Sequence, residues 1–237
     1  MIDFTGQKIL VVGGSSGIGR ATAKLAAGMG GEVVIASRSA QKVEAAVKAI
    51  GGSTAGRVLD ATDETAVTAF FADGTEWDHV IVSGSEVTMA PVRELDPAAA
   101  HAAFDSKFWG FYRVARAARI RPGGSLSVVA GFLATRPAAG WALMGAINAA
   151  LEQLVKGLAL ELKPVRVNAV SPAVVATEMW AGMSEADRQA MYETLAAQYP
   201  AGRVGEPDEV ARMLLLLAAT GYATGVVVTL DGGGTLA

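Results

Sequence analysis

The sequence contains no cysteine and only two histidines, His79 and His101. The first absence excludes disulfides and thiolate metal sites, and the second leaves too few imidazoles for a His-built metal centre, so no metal is expected. Long apolar runs are also missing. The longest, residues 213–219, is far short of the roughly 20 residues a membrane-spanning helix needs. The first residues show no charged segment leading into an apolar signal core, so the expectation is a cytoplasmic protein with no membrane partner. Nor is there an excess of basic charge. With 20 Lys and Arg against 23 Asp and Glu the net charge is −3, and the basic residues are scattered, which argues against nucleic acid as a partner. Apolar character is abundant, at 51% of 237 residues, ample for a buried core, and the length could hold one large α/β domain or two small ones.

Strand-like runs at 9–12, 33–36, 57–59, 80–82, 126–129, 166–170 and 226–230 alternate with helical stretches. This alternation without a linker predicts a doubly wound α/β fold, a parallel sheet of seven strands flanked by helices, over residues 1–237. Leu151, Leu154, Val155, Leu158 and Leu162 form one helical stripe, and Val210, Met213, Leu214 and Leu217 another; both read as core. The one polar insertion lies between Thr177 and Gly205, where Ser184-Glu185 starts a helix through Ala197 and Tyr199-Pro200-Ala201-Gly202 ends it. Following a strand's C-terminal end, residues 178–204 read as a lid over a ligand crevice.

Gly13-Gly14-Ser15-Ser16-Gly17-Ile18-Gly19 follows the apolar run Ile9-Leu10-Val11-Val12 and opens an amphipathic helix over 20–29. Gly13 permits a tight turn, Gly17 lets the backbone approach a pyrophosphate, and Gly19 lets the helix pack on the strand, with the helix N-terminus facing the phosphates. Four further blocks follow: Leu59-Asp60-Ala61-Thr62-Asp63; Glu161-Leu162 running into Arg166-Val167-Asn168-Ala169-Val170-Ser171-Pro172; Gly202 through Ala211; and Gly225 with Asp231-Gly232-Gly233. In order and spacing these blocks resemble the short-chain dehydrogenase/reductase family over essentially the whole chain. The resemblance implies a single Rossmann-type domain, a nicotinamide cofactor, a small-molecule substrate, and a homodimer or homotetramer. It also implies cofactor contacts from Ser15, Ser16, Ile18, Ala61, Ser83, Gly84, Pro172, Val175 and Thr177, and from Asp60 to the adenine amino group. For Asp60 the alternative is an Asp capping the helix from Thr62.

The catalytic half departs from that family. Its members carry a serine, then a tyrosine about a dozen residues on, then a lysine four further; aligned on Asn148-Ala149-Ala150-Leu151, these places hold Gly131, Met144 and Asn148. No tyrosine in the chain precedes a lysine by four, and the family's helix asparagine has become Lys107. Met144 can only pack, whereas Asn148 retains hydrogen-bonding capacity toward a ribose hydroxyl but has no charge to shift a neighbour's pKa. Loss of a general acid forfeits roughly 10²–10⁴-fold in rate, leaving hydride transfer slow rather than abolished. Milder departures are Ser83-Gly84-Ser85 where the family has Asn-Ala-Gly, Val12 for its threonine, and Ala173 for the glycine after Pro172.

Ser37 and Arg38 stand at the end of the second strand, where NAD-preferring sites keep an acid, so a cation is offered to a 2′-phosphate and NADP is expected ahead of NAD. The plainer alternative is a solvated surface arginine. Lys107 is the candidate for replacement chemistry, as an acid or as an anchor for an anionic substrate; the alternative is a lysine snorkelling along the surface or facing a subunit interface. His101 reads as an exposed helix residue and His79 as the start of a strand, while Glu86, Arg136 and Trp141 are expected to flank the substrate side. The functional expectation is an NADP(H)-dependent oxidoreductase with a non-standard active site. Two alternatives stand beside it: a catalytically inactive NADP(H)-binding sensor or assembly partner, and a non-redox enzyme on the same scaffold.

Overall fold

A computed structural model describes residues 2–86 and 89–237. Seven parallel strands form one sheet in the order β3-β2-β1-β4-β5-β6-β7. They are β1 (Lys8–Val12), β2 (Glu32–Ser37), β3 (Ala55–Val58), β4 (Glu76–Val82), β5 (Arg119–Val129), β6 (Arg166–Pro172) and β7 (Val227–Leu230). Strands buried on both faces read as continuous apolar runs, and Ile9-Leu10-Val11-Val12 is such a run. Alternate residues feed two cores. Leu10, Val80, Leu126 and Val167 face one side, packed by α3 (Glu64–Phe71), α5 (Gly110–Ala117) and α6 (Ala142–Glu161). Ile9, Val11, Ile35 and Val170 face the other, packed by α1 (Gly17–Gly28) and α8 (Pro207–Ala219). The order reverses between β1 and β4, and in such sheets the crevice outside the strands' carboxyl ends at that point receives ligands.

The expected alternation is present, with boundaries displaced. β5 begins at Arg119, seven residues before the expected apolar run, and α1 begins at Gly17, inside the glycine turn. Residues 97–117 form α4 (Pro97–Phe104) and α5 joined through a π-helical turn at Asp105–Trp109, where the Gly110 N–H reaches back to the Asp105 carbonyl. The insertion carries α7 (Glu185–Gln198), capped by the Ser184 hydroxyl accepting from the Asp187 N–H. α6 is the one helix among the described residues long and apolar enough to cross a membrane by length and composition, but Ile147, Leu151 and Val155 on it are fully buried against the sheet.

Candidate active site

The glycine turn sits at the sheet's carboxyl edge, between β1 and α1. A Cβ on Gly13 would stand 2.3 Å from the Gly84 nitrogen, and Gly13 has φ of +82°, so only glycine lets the β1 and β4 loops meet here. A cavity of about 740 Å³ runs along the turn, lined by Ser15, Ser16, Ile18, Ser83, Gly84 and Thr177 among others. Ser15 donates to the Ser37 hydroxyl at 3.0 Å, tying the turn to the end of β2. The Gly17 N–H at the start of α1 donates to the Glu178 carboxylate at 2.9 Å, and Arg20 pairs with the same carboxylate. An anion therefore already sits on this helix N-terminus, as the positive end of the helix favours, and the cradle fits the pyrophosphate of a dinucleotide.

At the inner end of the crevice, Lys107 and Asn148 meet. The π-helical turn carries Lys107 inward until it is 9% exposed, and its ammonium donates to the Asn148 Oδ1 at 2.7 Å and the Ala130 carbonyl at 2.9 Å. Loss of hydration lowers its pKa to about 8. Two of its three N–H groups are thus engaged by described residues, and one remains. Asn148 comes from α6, one turn after Met144, and Gly131 packs against it: a Cβ there would lie 2.6 Å from Asn148 Nδ2. Lys107, Gly131, Met144 and Asn148 line one cavity of about 310 Å³, which Pro172, Val175 and Thr177 at the end of β6 also line. Of the two readings of Lys107, the buried, site-facing one describes its position.

Residues 178–204, expected as a lid, contribute Met179, Trp180, Met191, Leu195 and Tyr199 to that cavity. Other sequence expectations need correction. Glu86 does not face the substrate side; its carboxylate pairs with Arg38, while its N–H donates to Ser106 Oγ at 2.8 Å. Arg38, just beyond the end of β2, is an exposed arginine paired with Glu86 and is not among the residues that line the groove. Arg136 points to the C-terminal loop, donating to the Gly234 carbonyl, whereas Trp141 does line the cavity. Asp60 accepts from the Thr62 N–H at 2.9 Å and does not cap a helix from Thr62; Asp63 caps α3, which starts at Glu64. Ala61 is half-buried beside it, and its carbonyl accepts from Arg113 at 3.3 Å. His79 lies within β4, not at its start, and is buried; His101 is exposed. No group of three or more potential metal ligands occurs among the described residues. Sequence reading missed Glu178, which follows Thr177 but finds its partners 161 and 158 residues away.

A family model described as enoyl-(acyl carrier protein) reductase matches residues 12–235. The short-chain dehydrogenase/reductase ATR9 of Stachybotrys chlorohalonatus is 33% identical over the whole of both chains. The crystal structure of a small-chain dehydrogenase in complex with NADPH superposes with a TM-score of 0.84 at 34% identity, covering 98% of this chain and 99% of that one. An NADPH-bound short-chain oxidoreductase from Pseudomonas aeruginosa PAO1, described as containing an atypical catalytic center, superposes with a TM-score of 0.87 at 27% identity, over 98% of each chain.

Proposed function

The chain belongs to the short-chain dehydrogenase/reductase family, and on that premise we propose that it is an NADP(H)-dependent oxidoreductase of a small carbonyl or alcohol, with Lys107 as the proton donor. The observation that carries this reading is the buried Lys107 ammonium 2.7 Å from Asn148 at the inner end of the glycine-turn crevice. In the family's pattern the helix before β5 carries asparagine and α6 carries lysine. Here the two types have changed places, so the positive charge is kept but delivered from the opposite wall, while Met144 and Gly131 occupy the tyrosine and serine places.

Gly13, Ser15, Ser16, Gly17, Ile18 and Gly19 at the turn, Ser37, Arg38, Asp60, Ala61, Ser83 and Gly84 on the adenosine side, and Asn148, Pro172, Val175 and Thr177 on the nicotinamide side would hold the cofactor, which would supply or accept a hydride when bound. Asn148 and the Ala130 carbonyl fix the ammonium, whose remaining N–H binds the substrate oxygen and passes it a proton as negative charge develops. In the oxidative direction the neutral amine takes the alcohol's proton. Residues 178–204 act as a lid on one dinucleotide-binding domain spanning 1–237. Assembly is a homodimer or homotetramer in the cytoplasm, with no nucleic-acid or membrane partner; exposed Trp109, Tyr112 and Leu160 supply the apolar surface for it.

Calorimetric titration tests the cofactor. NADPH binds more tightly than NADH, and Arg38→Asp reverses the order; equal affinities overturn the preference. Lys107→Met lowers NADPH-dependent reduction by roughly 10²-fold or more at nearly unchanged NADPH affinity, and an unchanged rate removes Lys107 from the chemistry. Met144, with no proton to give, favours the second reading, an inactive NADP(H)-binding protein. That reading prevails when NADPH binds well but no carbonyl, imine or enone oxidises it.

A further inference from the structure

We propose that the cavity beside Lys107 takes a compact, uncharged, hydrocarbon-rich ketone, or the corresponding alcohol, and discriminates against polyhydroxylated ones. The assignment rests on the oxidoreductase reading and narrows its substrate class.

The wall is the argument. Phe132, Leu133, Trp141 and Met144 form one side of the cavity, and Trp180 and Leu195 close it from the lid. Among the described residues the lining holds no Asp, Glu, Arg or His, and its lysine is Lys107. The other polar side chains are few and gathered at the cofactor end, with Ser83, Ser85 and Thr177 at the shared boundary with the groove. Of those deeper in, the Trp180 indole and the Asn148 Oδ1 are engaged, whereas the buried Tyr199 hydroxyl has no partner among the described residues. The Trp180 indole N–H donates to the Val175 carbonyl at 3.0 Å, and the Asn148 Oδ1 accepts from Lys107. One remaining ammonium N–H therefore serves one substrate oxygen. The Tyr199 hydroxyl can meet one further polar group; hydroxyls beyond that would be buried against aromatic rings and thioethers with nothing to bond, weakening binding by about tenfold for each. A carboxylate would take the ammonium for itself and hold the carbonyl away from it. The cavity is about 310 Å³ including the end where it overlaps the groove, room for a compact substrate. Met179 and Met191 on its lid side give it adaptable shape.

Trp141 and Trp180, with ring centroids 6.4 Å apart, provide a reporter inside the site. The experiment uses the full-length protein saturated with NADP⁺. It follows the binding of 1-tetralone, cyclohexenone, dihydroxyacetone and a ketohexose by tryptophan fluorescence, and the NADPH-dependent reduction of the same four. The two hydrocarbon ketones quench the fluorescence, with a reduced effect in Trp141→Phe, and exceed the polyhydroxy ketones in kcat/KM by 10²-fold or more. Met191→Lys, a half-exposed lid position, weakens tetralone binding at least tenfold with NADPH affinity unchanged. A ketohexose turned over as well as tetralone overturns the substrate class while the oxidoreductase reading stands. Tetralone binding without NADPH oxidation by any of the four overturns that reading and supports the cavity's chemical preference as that of a ligand site. Failure of both hydrocarbon ketones to bind overturns the inference.

Discussion

Lys107, Asn148 and Gly131 are coupled by contact. Asn148 Nδ2 fills the space a Cβ on residue 131 would need, at 2.6 Å, while Asn148 Oδ1 holds the ammonium. A side chain at 131 therefore displaces the amide that positions Lys107, so glycine at 131 goes together with Asn148 and Lys107. Gly131→Ala is expected to lower turnover about tenfold, and to cost much less in an Asn148→Gly background, where the clash is gone; equal costs in both backgrounds dissolve the coupling. The ammonium itself sets a pH dependence. Burial lowers its pKa to about 8, so the charged, proton-donating form prevails below pH 8 and is lost above it. Reduction is expected to fall and alcohol oxidation to rise through pH 8, whereas the family's phenol places no such demand on a lysine at position 107. A profile flat from pH 6.5 to 9.5, measured as kcat/KM for both directions, counts against Lys107.

At the scale of elements, the π-helical turn turns a helix-face lysine into a site residue. One extra residue per turn at Asp105–Trp109 rotates Lys107 inward, and such single turns recur at functional sites. Nothing in the local sequence marks it, because the i→i−5 bond is made by backbone and has no side-chain signature. The strands, by contrast, were legible: a buried parallel strand must be apolar on both faces, and Ile9-Leu10-Val11-Val12 or Val80-Ile81-Val82 can be little else. The lid helix was legible from Ser184, whose hydroxyl does cap it. Pairings that depend on topology were not legible. Glu86 reaches Arg38 and Glu178 reaches Gly17 and Arg20 because the sheet order brings their loops together, and sequence distance carries no trace of that. The apolar cavity was hidden for the same reason, being assembled from the ends of β5 and β6, from α6 and from the lid.

The Glu178 contact has a measurable consequence for the lid. Its carboxylate occupies the Gly17 N–H and neutralises Arg20, both in the first turn of α1, where the proposed cofactor's phosphates would lie. Partial burial acts to raise its pKa, but its own backbone N–H, the Gly17 N–H and Arg20 outweigh that and hold it below the ordinary value, so it is charged at neutral pH. A pyrophosphate must exchange for it. Glu178→Gln is expected to tighten NADPH binding several-fold at low salt by removing a competing anion, and the advantage should shrink as ionic strength rises. Weaker binding in Glu178→Gln, read by titration at two salt concentrations, reverses this assignment.

Over the whole molecule, the two ends of the sheet divide the work. The carboxyl ends of β1, β4, β5 and β6 carry the crevice, while His79 and Arg166 are buried near the opposite end. Arg166 donates to the carbonyls of Leu217 and Thr220 at the end of α8, at 2.7 and 2.8 Å, placing a cation where the helix's negative end needs one. His79 bonds Ser125 Oγ and Gln7 Oε1, both at 2.8 Å, and packs edge-on against Phe4. Burial, with Arg166 nearby, lowers its pKa from 6.5 to about 4, so the folded protein holds it neutral. The unfolded chain binds a proton at pH 6.5 that the folded one refuses until pH 4; the stability this represents is complete above pH 6.5 and is lost as pH falls through that window. The shift corresponds to on the order of 3 kcal/mol. His79→Gln keeps hydrogen-bonding groups without a titrating ring, so urea midpoints of the variant should decline less than those of wild type between pH 6.5 and 4. Parallel declines count against the buried imidazole as the acid-sensitive group. Because that group lies away from the crevice, the variant at pH 7 should keep wild-type NADPH affinity, separating the acid lability of the fold from the titration of Lys107.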